Sequence, residues 1–412
     1  MIFLLFSTFV MAQTPTATNS PFFNDLENFK NKSLSLRTEQ QNLEASSDLL
    51  LSRKLFWTPK LNISANKNKT QVNSVSTLEN NYLIQGDYLE ADLSWNLFRG
   101  GADYHLLKDA QAEEKAQNLQ VLTEALRVEI NAADLIFKSV YLEETLRIQE
   151  QLLKLKEDAL KIANDRFHQG QLPLQEVTKS DVDLNLQKNK LRTAKLNTLE
   201  NKSQISSLFI KDIQTIEWPF AENTNPKLPA QPQIPLIEQK YWFSQSRENL
   251  WQSSKGEHWP SLDFQIQYQE SPINSRTDKQ FVGLLTLSLP IWNQYDTSAK
   301  VSAAYAQYVS ALNDYKETEQ TLKEKSIFQK EKIETARLNL SEAKKNLEIS
   351  KKLYQDVLRG FRLGRISTND LLLEQNRLLD SEDALTQSQL NFHQSLIETC
   401  ALAGLMSSEC LQ

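Results

Sequence analysis

Few residues in this chain are placed to do chemistry. Its four histidines, His105, His168, His258 and His393, share no metal-ligand spacing. No Ser-His-Asp order, nucleotide loop or close carboxylate pair stands out as catalytic. With 9 glycines in 412 residues, phosphate-cradling loops are scarce too. No enzyme, cofactor or metal centre is expected. The polar residues that do recur lie in two matching turns. RGFRLGRISTNDLLLEQNRLL, from Arg359 to Leu379, echoes DRFHQGQLPLQEVTKSDVDLNL, from Asp165 to Leu186. Setting Phe167 on Phe361 puts Gly170 on Gly364, Glu176 on Asp370 and Leu184 on Leu378. A hairpin built twice marks an internal duplication; Gly360 and Gly364 are expected to let the chain turn in the second copy, with Gly170 the counterpart of Gly364 in the first.

Long helices must position those turns. An unbroken helical stretch runs from about 102 to 166, and roughly 65 residues at 1.5 Å each would span about 100 Å. Leu119, Leu126, Ala133 and Val140 recur in it at steps of seven, the sign of side-by-side coiled-coil packing. After the first turn a helix covers 174–209. The Pro- and Asn-rich segment 213–235 reads as a linker. The second copy opens with a shorter helix over 236–254, has its own long helix over about 297–359, and ends with one over 367–402. A further helix is expected from Pro21 to Phe56, stopped at Trp57-Thr58-Pro59. The domains are thus a first repeat over 13–212, a linker over 213–235 and a second repeat over 236–412.

Each repeat also holds a pair of alternating strands. Leu61, Ile63 and Ala65 alternate with polar residues in KLNISANKNKT. Leu89, Ala91, Leu93, Trp95 and Leu97 do so in YLEADLSWNLF, before Gly100-Gly101. SLDFQIQYQE and FVGLLTLSLPIW repeat the pattern, with polar loops expected over about 71–86 and 271–279. Trp57, Phe98, Trp259 and Trp292 fall at one edge of both hairpins, as an interfacial girdle would. Two readings stand: a small sheet packed on the helices, or membrane strands. Four membrane strands cannot close a barrel, which needs roughly eight. Open edges in lipid cost several kcal/mol per unpaired group, so the second reading requires oligomers, and three copies would supply twelve strands.

A net charge of -6 leaves no nucleic-acid footprint. A mean hydropathy of -0.50 and the lack of any internal apolar run near twenty residues exclude a spanning helix after the start but not a β-barrel. MIFLLFSTFVMA, residues 1–12, reads as a signal peptide cut before Gln13, with Val10 and Ala12 at the small-residue positions. Its lack of a basic n-region keeps a buried N-terminal segment open as the other reading. In an exported chain the only cysteines, Cys400 and Cys410, meet an oxidising compartment. Gly404 can end the last helix and fold the tail back, so a disulfide is expected.

With WTPKLNIS and HWPSLDFQ, SWNLFRGG and SLPIWNQY, and the doubled Phe-x-x-Gly turn in place, the chain resembles the TolC-like outer-membrane efflux proteins, or outer-membrane factors, over nearly its whole length. The resemblance implies a mainly α fold with membrane β. A long α-helical coiled-coil barrel would continue into a trimeric 12-stranded β-barrel, four strands per chain, with two internal structural repeats. It implies an exit duct of a tripartite efflux or type I secretion system, in the outer membrane and extending into the periplasm. The partners implied are the homotrimer, a periplasmic adaptor, an inner-membrane pump and outer-membrane lipid. It also implies a periplasmic gate. Asp370, six after Gly364, matches the first of two family aspartates. Leu373 stands at the second, with Glu374 beside it. Phe361 stands where a tyrosine is common, and Arg365 lies one position before a family arginine, with Glu176 as its carboxylate partner. From another class, an envelope-associated coiled-coil scaffold without a pore fits the same helical pattern.

Overall fold

The computed structural model describes residues 20–72, 82–208, 213–229, 233–273 and 276–411. The expected signal peptide, residues 1–12 with its cut before Gln13, lies outside the described residues, as does Phe209. The chain forms two compact units. One takes Met1–Thr38, Leu122–Pro235 and Thr321–Gln412, and the other takes Glu39–Val121 and Leu236–Gln320. Each unit therefore draws on both halves of the sequence.

The elements are α1 (Pro21–Lys32), α2 (Leu34–Lys54), β1 (Lys60–Val72), β2 (Tyr82–Arg99), α3 (Ala102–His168), α4 (Leu174–Leu208), α5 (Pro235–Lys255), β3 (Ser261–Ile273), β4 (Arg276–Ser288), α6 (Asp296–Arg362), α7 (Thr368–Leu402) and α8 (Ser407–Cys410). Helices α3 and α6 each have 67 residues, and α4 and α7 each have 35. Every bound of α6 and α7 stands at the offset that sets Phe361 on Phe167. Among the described residues no helix is long and apolar enough to cross a membrane.

Three expectations change. The helix expected over 21–56 is two helices, because Ser33 leaves helical geometry at ψ 117° and its hydroxyl accepts from the Leu36 N–H at 3.3 Å. That is an N-cap inside a run of helix-compatible residues. The strands reach further than alternation suggests, to Val72 and Ile273 and from Tyr82 and Arg276, so the loops expected over 71–86 and 271–279 are shorter. Pairing with a neighbour supplies there the geometry that side chains do not. At the end of β2 the register shifts between Asn96 and Phe98, and Phe98 instead of Leu97 pairs with Leu262. An extra residue there resets the alternation.

In one unit the four strands form an antiparallel sheet in the order β1-β2-β3-β4. Trp95 pairs with Phe264 and Phe264 with Leu285, while Leu93 pairs with Ile266, so the apolar residues share one face. That face is open: Leu61, Ile63, Leu285 and Leu287 are 63% to 71% exposed. On the other face Asn96 donates to Asp263 and Gln265 donates to Asp92, both at 2.7 Å. In the same unit Ser246 of α5 donates to Asp109 of α3 at 2.6 Å. Burial, opposed by that bond, raises the Asp109 pKa.

The other unit has three apolar clusters. Phe22, Leu26, Ala132, Ala133, Ile136, Phe137, Ile205 and Ile397 form one, with Trp218 and Phe220 of the linker packed on it. Fully burying a side chain such as Phe137 stabilises by about 1.5–3 kcal/mol. Ile333, Ala336, Leu340, Phe392 and Leu396 form another. The third lies at the turns described below. Cys400 and Cys410 are joined by a disulfide, with Cα atoms 5.8 Å apart.

Candidate functional site

The two turns close by the same local rule. The Gly364 N–H donates to the Phe361 carbonyl and the Arg365 N–H to the Gly360 carbonyl, both at 3.0 Å. In the first copy Gly170 donates to Phe167 and Gln171 to Arg166, both at 2.9 Å. These paired bonds satisfy the last carbonyls of each helix, and they need a left-handed residue, supplied by Gly170 at φ 72° and Gly364 at φ 76°. Gly360, expected to turn the chain with Gly364, instead stays helical within α6, and its missing side chain makes room for Ile366, whose Cδ1 would lie 2.5 Å from an added Cβ. Helix α7 is then capped by Ser367, whose hydroxyl accepts from the Asp370 N–H at 3.2 Å and donates to the Asp370 carboxylate at 2.7 Å. Asp370 thus sits in the first turn, where the helix dipole favours negative charge.

Beneath the turns lies the third cluster: Ala159, Leu347, Tyr354, Phe361, Leu371 and Leu378. Phe361 is fully buried within it. Its ring is covered by the Arg166 guanidinium, 4.3 Å from the centroid, which also donates to the Phe361 carbonyl. Asp370 and Arg365 are exposed. The Glu374 side chain is largely covered and accepts from Arg377 at 2.9 Å. Within the chain Glu176 accepts from Lys179 at 2.8 Å instead of meeting Arg365. The structure therefore gathers Phe361, Arg365 and Asp370 at one turn, puts Glu374 on the following turn of α7, and places Glu176 on α4.

Sequence reasoning missed Lys156. Its ammonium, 4% exposed, lies 3.5 Å from Asp183 of α4 and donates to Asn376 of α7 at 3.2 Å. Burial lowers its pKa, with Asp183 opposing and Lys190 adding to the fall. A signal was present, since Lys156 occupies a position where the heptad calls for a core residue. Asp183 and Asn376 also line a groove of about 520 Å³ between α4 and α7, with Lys179, Asn369, Leu372 and Leu373. The four aromatics expected at the girdle, Trp57, Phe98, Trp259 and Trp292, are all exposed. Among the described residues no group of His, Cys, Asp or Glu is placed to hold a metal ion.

Four long helices with doubled lengths, joined through short junctions to a four-stranded sheet open on its apolar face, define the fold of the TolC-like outer-membrane channels. The particular structures that share it are distant in sequence. The outer membrane protein VceC of Vibrio cholerae aligns with a TM-score of 0.81 at 13% identity, over 93% of this chain and 96% of that one. The Campylobacter jejuni CmeC outer membrane channel gives 0.81 at 15% identity, over 96% and 90%. The open state of the Neisseria gonorrhoeae MtrE outer membrane channel gives 0.74 at 16% identity, over 94% and 89%. No protein-family model and no curated protein sequence matches the chain.

Proposed function

We propose that the chain is the outer-membrane exit duct of a tripartite efflux or type I secretion system, passing pumped substrates passively across the periplasm and outer membrane. The sheet carries this reading. Its apolar face is exposed, its other face is polar, and β1 and β4 each have a strand neighbour on one side only. In lipid such edges must be paired, and a closed barrel needs roughly eight strands. A homotrimer supplies twelve, joining β4 of one copy to β1 of the next. The exposed Trp57, Phe98, Trp259 and Trp292 then ring one end of the barrel at the lipid interface.

The equal lengths of α3 and α6, and of α4 and α7, support a duct wall built from two repeats. In this reading the helix turns form the periplasmic gate, with Asp370, Glu374 and Arg365 around a constriction held by Phe361 and Glu176. An adaptor and an inner-membrane pump are the partners. The scaffold alternative needs its strand pairs packed on helices, whereas the apolar residues of this sheet are open.

The test is electrophoresis of membrane fractions, heated and unheated, with the mass of the detergent-solubilised particle. A heat-modifiable band and a mass of three chains are expected. Release by carbonate or high salt, or a stable monomer in detergent, refutes the duct.

A further inference from the structure

Residues 213–229 of the linker form no helix or strand, and beyond one turn bond, from the Thr224 N–H to the Ala221 carbonyl, their backbone groups turn to partners from elsewhere. At the near end the buried Asp25 accepts from the N–H groups of Gln214 and Thr215, at 3.0 and 2.9 Å, and from the Thr215 hydroxyl at 2.8 Å. In the middle Arg337 donates to the Thr224 carbonyl at 2.9 Å. At the far end the Lys227 N–H donates to the Cys410 carbonyl at 2.8 Å.

That last partner is itself precariously built. Cys410 closes α8, a single turn of four residues, too short to persist alone. Leu411, just past its end, packs against two of the apolar clusters, and three further things place it. Glu129 accepts from the Ser407 N–H at 2.6 Å. Gly404, left-handed at φ 76°, lets the chain double back against Gln233, whose carbonyl would lie 2.5 Å from an added Cβ. The Cys400–Cys410 bond ties the turn to α7, and both residues are fully buried.

We propose that this disulfide is a redox-dependent clasp: by fixing α8 it allows Cys410 and Gly404 to hold the linker down, and the linker docks only after the bond has formed. In the step, the two thiols give up two protons and two electrons to a disulfide oxidant. The Cys400–Cys410 bond forms, and the oxidant's own S–S bond is replaced by two thiols. Because both sulfurs end up buried, the oxidant acts before α8 packs. Oxidation is then an assembly checkpoint, whatever the chain transports.

Trypsin cleavage after Lys227, followed by mass spectrometry on the purified full chain, tests the clasp. The oxidised wild type should resist. Cys400→Ser with Cys410→Ser should be cut about 100-fold faster, the change expected from losing so short a loop closure when cleavage follows the open population. Gly404→Ala should also be cut faster, with its disulfide intact. A double serine variant that folds, by circular dichroism, and is cut no faster than wild type overturns the proposal. So does a protected Gly404→Ala. If the serine variant loses its helix signal, wild type refolded from the reduced state decides, with oxidised glutathione in one arm and a reductant in the other. Protection of Lys227 confined to the oxidising arm supports the clasp, and equal protection in both arms refutes it.

Discussion

Arg166, near the end of α3, caps the end of α6: its guanidinium lies over the Phe361 ring and donates to the Phe361 carbonyl. The helix leading into the first turn is thereby fastened to the helix leading into the second. Phe361→Ala should cost about 3–5 kcal/mol, as deletion of a fully buried ring does. Arg166→Met keeps apolar contact with the ring but loses the bond to the carbonyl, and about 1–2 kcal/mol is expected. Denaturant unfolding of the two variants checks the order. An Arg166→Met loss equal to that of Phe361→Ala would mean the guanidinium, not the ring, organises the turn.

Asp370 has two separable tasks. As partner of Ser367 it helps start α7, and Ser367→Ala should cost about 1 kcal/mol. In the proposed gate three copies would face one another, drawing cations into the constriction and letting multivalent cations bridge them. Asp370→Ala should therefore weaken cation preference and multivalent block in planar bilayers, while Ser367→Ala leaves both intact. Unchanged ion preference in the Asp370→Ala pore would place that residue outside the lumen. Arg365→Ser should raise closed-state conductance if Arg365 meets the Glu176 of a neighbouring copy.

His393 should make the protein acid-sensitive. It lies among Phe137, Trp218, Phe220 and Phe392, and burial pushes its pKa down to about 4 against the opposing bonds to the Gln389 and Phe220 carbonyls. The unfolded chain, with an ordinary value near 6.5, takes up the proton first. The His393 contribution is therefore complete above about pH 6.5 and is lost as pH falls toward 4, by an amount on the order of 3 kcal/mol. His393→Phe should flatten the stability profile over that window. A profile of unchanged slope would show that the acid sensitivity lies elsewhere.

Lys156 and Asp183 should respond unequally to mutation. Replacing the buried ammonium with an apolar chain of similar length removes its desolvation cost, so Lys156→Met should be neutral or stabilising. Asp183→Leu leaves the ammonium buried beside Asn376 alone and should cost about 2 kcal/mol, less than for a fully buried pair because Asp183 is partly open to solvent. Thermal unfolding of both variants checks the asymmetry, and the reverse order would show that Lys156 is a net stabiliser.

The turns were readable in the sequence because their chemistry is local: Gly364 and Gly170 supply the left-handed residue, and Ser367 and Asp370 sit three apart at a helix start. The first long helix was readable because no proline or glycine interrupts α3. Ser33 was not, since a serine between helix-compatible runs is a cap only once the Leu36 N–H is placed. Gln71 and Val72 fall in the loop expected over 71–86, and only their register with Leu83 and Tyr82 makes them part of β1. The role of Lys156 was not legible because its partners, Asp183 of α4 and Asn376 of α7, are remote in sequence.

The junction after β2 turns through Gly100 and Gly101, at φ 57° and 80°. The matching junction after β4 takes the same backbone shape with Gln294 and Tyr295, at φ 53° and 70°. Side chains there cost about 1–2 kcal/mol per residue and leave few other conformations open, while the glycine pair is nearly free. The two joints thus hold the same backbone shape by different means: after β2, Gly256 and Trp259 pack so close that a Cβ on Gly100 would lie within 2.6 Å of both, and after β4 two residues carry side chains in the left-handed region.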